Sequence, residues 1–130
     1  MDMGHRTPRL FGYKIEGDLS GKLYHFVKFG TAAGTITAVT AATDAVVGIL
    51  YDYTVDGKDG DIGDVALVGG GSKVVVAATL AAGSKVTTDA TGKAVAATSG
   101  DQVCASLENI GASAVAGDAV ACEVMDQVLA

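Results

Sequence analysis

Tryptophan is absent from this 130-residue chain, proline occurs once, as Pro8, and histidine and cysteine occur twice each. These scarcities narrow the function classes open to it. The two imidazoles, His5 and His25, have no local nucleophile signature around a Ser or Cys, so the sequence predicts no enzyme. Cys104 and Cys122 stand eighteen residues apart with no Cys-x-x-Cys pair and no neighbouring His, which predicts no metal site. They read as small apolar residues on adjacent strands, with a disulfide as the alternative if those strands pair. No apolar run approaches the roughly 20 residues that cross a bilayer, and the opening "MDMGHRTPRL" has no apolar centre of a secretory signal. A soluble protein made in the cytoplasm is expected. Cations are also few: the net charge is −6, with five Lys/Arg against three Asp/Glu in residues 1–30 and four against twelve in the remainder. An acidic body repels phosphate, so neither nucleic acid nor an anionic membrane is an expected partner, while the basic front can meet an acidic one.

Small residues are what the chain has in quantity: 22 Ala, 17 Val, 18 Gly and 12 Thr against seven Phe and Tyr. A core of such side chains buries little area per residue, which points to backbone pairing and neighbouring subunits as sources of stability. Valine, threonine and glycine turns favour strands. "KLYHFVKF" (22–29), "GTITAV" (34–39) and "DAVVGILYDYTV" (44–55) read as strands. "GDVALVGGGSKVVVAA" reads as two strands around Gly69-Gly70-Gly71-Ser72. "SKVTTDATGKAVAA" reads as a hairpin with Gly92 where a positive φ is needed, and "DQVCASLE" and "GDAVACEVMDQVL" complete the set. The fold class predicted is all-β: a small β-sandwich or partly open β-barrel of about eight short strands, with an extended N-terminal arm over residues 1–14 and one β-domain over 15–130.

The two halves of that domain, 15–70 and 71–130, echo each other. "DLSGKLYHFV", "GTITAV", "TDAVVGIL" and "GDVALV" find counterparts, in order, in "TLAAGSKVTT", "GKAVAA", "GDQVCASL" and "GDAVAC". The offset drifts from 61 residues (Leu19 to Leu80) to 57 (Asp44 to Asp101) and 54 (Gly63 to Gly117). Chance in Ala/Val/Gly-rich sequence produces echoes too. A true repeat would give two similar β-units packed together, short of the three or more that a solenoid needs.

The polar clusters have plain readings beside the chemical ones. Asp52, Asp56, Asp59, Asp61 and Asp64 could supply oxygen ligands to calcium, but a twelve-residue loop starting at Asp52 would place Gly63 where the bidentate Glu belongs, so a solvated hairpin loop is expected. "GGGSK" does not have the Gly-x-x-x-x-Gly-Lys-Ser/Thr order of a phosphate loop and lies between strands, so it reads as a hairpin turn. No cofactor is expected.

With these readings in place, "GSKVVVAATLAAGSKVTTDATGKAVAA" followed by "DQVCASLENIGASAVAGDAVACEV" resembles the capsid cement or head-decoration proteins of tailed bacteriophages. The resemblance is carried by Leu80, Ala82-Gly83, Val86 to Ala94, Leu107-Glu108 and Gly117 to Val120, within roughly residues 60–125, with a looser fit over "VVGILYD". It implies a structural virion protein on the outer capsid surface, a homotrimer that clamps neighbouring major capsid protein subunits and has no catalytic residues. The arm, with Arg6, Pro8, Arg9, Leu10, Phe11 and Lys14, is the candidate capsid contact, either by adding a strand to a partner sheet or, failing that, as a solvated tail. The alternative from a different class is a small β-sandwich binding module recognising carbohydrate or a host surface, for which Tyr51 and Tyr53 are the candidate stacking residues.

Overall fold

The computed structural model describes residues 7–108 and 115–129. Ten strands follow in chain order: β1 (Leu10–Ile15), β2 (Phe26–Phe29), β3 (Thr35–Ala38), β4 (Gly48–Tyr53), β5 (Ile62–Ala66), β6 (Gly71–Val75), β7 (Lys85–Thr88), β8 (Ala94–Ala96), β9 (Gln102–Leu107) and β10 (Ala119–Val128). The class is all-β. The strand beyond the expected set is β1, which the sequence reading left inside the arm. Leu10–Ile15 pairs with β5 along its length, Leu10 facing Ala66 and Lys14 facing Ile62, so the arm does not extend over residues 10–14. Its pairing partner lies some fifty residues on, and Gly12 interrupts the apolar alternation, so no local pattern announces it.

The first five strands form a closed barrel in the order β1-β3-β2-β4-β5, and the last five form a sheet in the order β6-β10-β9-β7-β8. Started from β3, the barrel reads β3-β2-β4-β5-β1; started from β8, the second sheet reads β8-β7-β9-β10-β6. Position by position the neighbours agree, antiparallel at each pairing. The barrel is closed by a parallel β1–β3 contact, Ile15 opposite Ile36. Its equivalent in the second sheet is a single parallel bridge, Val76 opposite Ala94. Even the hydrogen bond beyond the bridge repeats: Glu16 N–H donates to Ile36 O at 2.8 Å, and Ala77 N–H to Ala94 O at 2.9 Å. One strand plan is therefore laid down twice.

The loops repeat as well. Asp44, before β4, accepts from the Thr40 and Ala41 amides, as Asp101, before β9, accepts from the Thr98 amide. Asp61, before β5, accepts from the Lys58 amide and donates its own N–H back to Lys58 O; Asp118, before β10, does the same with Val115. Both pairs stand 57 residues apart. The third sequence echo therefore shifts: Gly60-Asp61, not Gly63-Asp64, is the counterpart of Gly117-Asp118.

The "GGG" segment is not a hairpin turn. β5 and β6 belong to different sheets, and residues 67–70 cross between them, with Gly69 N–H on Val124 O and Val124 N–H on Gly70 O. Gly70 has no room for a side chain, because a Cβ there would meet the Arg9 backbone. The expected β7–β8 hairpin is present, Val86 opposite Ala96 and Thr88 opposite Ala94, with Gly92 at a φ of 88°.

One segment bonds through its main chain to both units. "KLYHFVKF" is strand only from Phe26 onward. Before it the chain turns at Tyr24, whose φ of 63° is rare for a residue with a side chain. Tyr24 N–H donates to Leu50 O at 2.7 Å and Leu50 N–H to His25 O at 2.9 Å, within the barrel. Facing the other way, Val75 N–H donates to Tyr24 O at 2.9 Å and Phe26 N–H to Gly92 O at 2.7 Å. The segment thus fills the seam between β6 and β8 that the single bridge leaves open. Phe26, the largest fully buried side chain, packs from the barrel into the second unit's core with Val39, Ile49 and Ala66, against Val74, Val86 and Ala94 among others. Ile15, Leu19, Val27, Ile36, Leu50 and Val65 fill the barrel itself.

Phe26→Ala is expected to destabilise the fold by about 3–5 kcal/mol, read from denaturant unfolding, whereas Val55→Ala, at an exposed turn, stays within about 0.5 kcal/mol. Gly92→Ala is expected to cost about 1–3 kcal/mol more than Gly100→Ala, the cost of overpacking. Both glycines have positive φ, but only a Cβ at 92 would strike the Phe26 carbonyl, at 2.8 Å. The Asp44 carboxyl is lowered to about 2, first by the Thr40 amide and then by Lys28, whose ammonium is 2.9 Å away. Because the folded value lies below the ordinary 3.8, its stabilising contribution is present above pH 4 and is lost as pH falls towards 2. The melting temperature should fall over that window and fall less in Asp44→Asn; Glu16 and Asp18, lowered by bonds from Thr31 and Ser20, keep part of the slope.

Candidate functional site

The residues proposed as the contact region are placed as follows. Arg6, like His5, lies outside the described residues. Pro8 is half-buried. Arg9 is exposed, its guanidinium donating to Val68 O at 2.8 Å, beside the Gly69-Gly70 crossing. Leu10 and Phe11 are exposed on β1 despite their size, at 44% and 55%, and Lys14 is exposed on the same strand.

Two aromatics that the sequence reading did not assign to this region join it. Alternation along "LFGYKI" sends Phe11, Tyr13 and Ile15 to the barrel's inner side. Only Ile15 is deep enough to be covered, so Phe11 and Tyr13 remain at the barrel's end. Their ring centroids lie 4.9 Å apart, and Phe29, the last residue of β2, meets Tyr13 edge-on at 5.7 Å. Phe29 is 58% exposed. The signal for Tyr13 was the period-2 spacing from Phe11. Phe29 was legible only as a strand residue, since its neighbour across the rim is sixteen positions away.

The main chain of β1 is also incomplete at this end. Ile15 N–H bonds to Asp61 O, and Arg9 O accepts from Leu67 N–H, so odd-numbered residues face β5. Lys14 N–H bonds to Gly34 O and Glu16 N–H to Ile36 O, so even-numbered residues face β3. β3 reaches only Lys14 and Ile15. The β2–β3 loop folds back on itself, Gly30 N–H to Thr35 O and Thr35 Oγ to Ala32 O, and is held by the Glu16 carboxylate on the Thr31 and Ala32 amides. The N–H and C=O groups of Leu10 and Gly12 that face the β3 side therefore have no partner among the described residues.

The other polar groups are committed elsewhere. His25 is buried at the junction with Nδ1 3.0 Å from Leu23 O, and burial first, then Lys22 and Lys93, push it below its ordinary value, so it is neutral at pH 7. Cys104 and Cys122 are free and buried on the paired strands β9 and β10; burial raises their thiols to about 11 and about 12, which leaves them unreactive. The aspartate-rich loop is the β4–β5 connection. Asp59 accepts from the Gly17 amide and Asp61 from those of Asp56 and Lys58, so these carboxylates cap loop amides. Among the described residues, no three His, Cys, Asp or Glu side chains gather as metal ligands would. Tyr51 stands edge-on to Tyr24 and Tyr53 lies against Gly57, both half-buried. A shallow depression of about 610 Å³ lies between the β3–β4 loop and the second sheet, floored by small residues such as Ala42, Ala45 and Ala96. The acids beside it, Asp89 and Asp101, cap their own loops.

The arrangement sets Phe11, Tyr13 and Phe29 beside the incomplete edge of β1. It can form main-chain hydrogen bonds along an open strand edge and make apolar contact through three aromatic rings. No family model and no curated protein matches the chain. Among solved structures, it is similar to the head fiber gp8.5 N base of bacteriophage phi29, with a TM-score of 0.58 and 17% identity, covering 94% of this chain and 98% of that one. At that identity the likeness is one of fold, and it extends over both units.

Proposed function

We propose that this chain is a structural, non-catalytic virion protein of a tailed bacteriophage. It binds the outer surface of the capsid as a homotrimer and clamps neighbouring major capsid protein subunits in the DNA-filled head. The observation that carries the reading is the fold likeness to a phage head-fiber base over nearly the whole of both chains, added to the resemblance of residues 60–125 to capsid cement proteins. The chemistry of the surface supports it. His25, Cys104 and Cys122 are buried, while Leu10, Phe11 and Phe29, the bulkiest of the exposed apolar side chains together with Ile62, lie on β1 and the end of β2. Clamping needs only many weak, repeated contacts, and a trimer raises the effective concentration of the second and third once the first has formed.

Arg6, Pro8, Arg9, Leu10, Phe11 and Lys14 remain the proposed contact region, but three of them, Leu10, Phe11 and Lys14, act from the barrel wall instead of a free arm. A truncation that tests the arm must therefore end before Leu10, since removing residues 10–14 removes a barrel strand.

Purified shells assembled without this protein should bind it on co-sedimentation and gain resistance to heat and low salt. No binding to mature shells, with their resistance unchanged, contradicts the proposal. Sedimentation equilibrium should give three times the 12.9 kDa chain mass at high concentration. A protein that is monomeric both in solution and on the shell contradicts the clamp.

A further inference from the structure

The second unit shows what happens to this kind of seam when it is occupied. Matching Ile15 with Val76 at the closing bridges places Leu10, Gly12 and Lys14 at the positions of Gly71, Lys73 and Val75. On β6 that edge is covered by residues from outside the unit: Gly71 N–H donates to Thr7 O at 3.3 Å and Val75 N–H to Tyr24 O at 2.9 Å. The Tyr24 ring comes with the segment and lies 6.0 Å from the Lys73 ammonium. On β1 the same edge has no partner at Leu10 and Gly12 among the described residues. Gly12 presents no side chain to obstruct an approaching backbone, and Phe11, Tyr13 and Phe29 line one side of the vacant lane.

From this comparison we infer that the open edge of β1 accepts an extended segment of the major capsid protein by strand addition, in the lane that β3 leaves empty. The choice of partner rests on the function proposed above. The segment makes up to four main-chain hydrogen bonds with Leu10 and Gly12, and a large apolar side chain on it packs against the three rings. Charge selects this occupant over a second copy. Arg9, its guanidinium held on Val68 O, and the exposed Lys14 bracket the edge, and two copies paired through β1 would bring four cations onto one short ribbon, with Asp64 opposite Gly12 in each copy and Glu16 committed to the Thr31 and Ala32 amides. A neutral or acidic segment meets complementary charge. The direction of addition also differs from the one the sequence suggested: the partner completes this barrel, and this chain does not lend an arm to the partner's sheet.

The test uses the full chain and shells assembled without it, with three variants. Leu10→Pro removes an edge-facing N–H and leaves the odd-numbered bonds to β5 in place, a position at which edge strands tolerate proline. Phe11→Ser with Phe29→Ser removes two of the rings, and Val55→Ser is an exposed control. Melting temperatures of the free proteins confirm that each is folded. We expect Leu10→Pro and the double variant each to lose about tenfold or more in shell affinity, with Val55→Ser equal to the parent. In the parent, the Leu10 and Gly12 amides should become protected from hydrogen exchange on the shell. If the parent binds shells and both edge variants bind within twofold of it, the strand-addition inference fails and the capsid role stands. If the parent does not bind, the capsid role fails and takes this partner with it. If Leu10→Pro lowers the solution mass of the free protein, the edge is held by a second copy and the inference is overturned.

Discussion

The main-chain hydrogen bonds of Tyr24, His25 and Phe26 hold the two halves of this molecule in one body. Without them the second sheet would have β6 and β8 joined by one residue pair, with two strand edges and the interior between them open to water. The positive φ at Tyr24 lets three consecutive residues serve opposite directions, towards Leu50 on one side and towards Val75 and Gly92 on the other. A strained backbone conformation at a residue with a side chain costs of order 1 kcal/mol or more. Here it is offset by bonds to β4, to β6 and to the β7–β8 turn, and by the burial of Phe26. Gly92 belongs to the same arrangement, since only a residue without a Cβ fits against the Phe26 carbonyl.

This arrangement explains why a chain so poor in large side chains can fold. Isoleucine, leucine and valine fill the barrel, valine and alanine dominate the core of the second unit, and small residues such as Ala66, Ala94 and Ala105 pack around the one large ring of Phe26. It also accounts for the fate of the reactive residues. His25 is neutral because it sits in the junction, and both thiols are unreactive because they lie in the core. What remains available is the end of the barrel, where β1 runs past β3 and the aromatics at its inner side go uncovered. The same connectivity thus yields two seams, one filled from within the chain and one without a partner at Leu10 and Gly12 among the described residues.

Much of the second unit was legible in sequence because its signals are local: the Asp89 to Gly92 turn, the alternation of "DQVCASLE", and Gly117-Asp118 before β10. The echo between halves was legible as well, though its third step was placed three residues off, because Gly63-Asp64 matches "GD" as well as Gly60-Asp61 does and only hydrogen bonding separates them. The first unit was harder to read. β1 was hidden by Gly12 and by a partner far along the chain, and "GGG" suggested a turn because no local pattern shows that β5 and β6 belong to different sheets. Of the proposed contact region, Phe11 and Lys14 were named only as residues of an arm without a period. Tyr13 and Phe29 entered only when the barrel closed and set them side by side.

The most direct measurement is an electron cryo-microscopy map of shells carrying this protein, at a resolution that traces main chain. The account predicts an extended capsid segment beside β1, within hydrogen-bonding distance of Leu10 and Gly12, with a side chain against Phe11, Tyr13 and Phe29. A map in which that edge faces solvent while the protein is bound would contradict it.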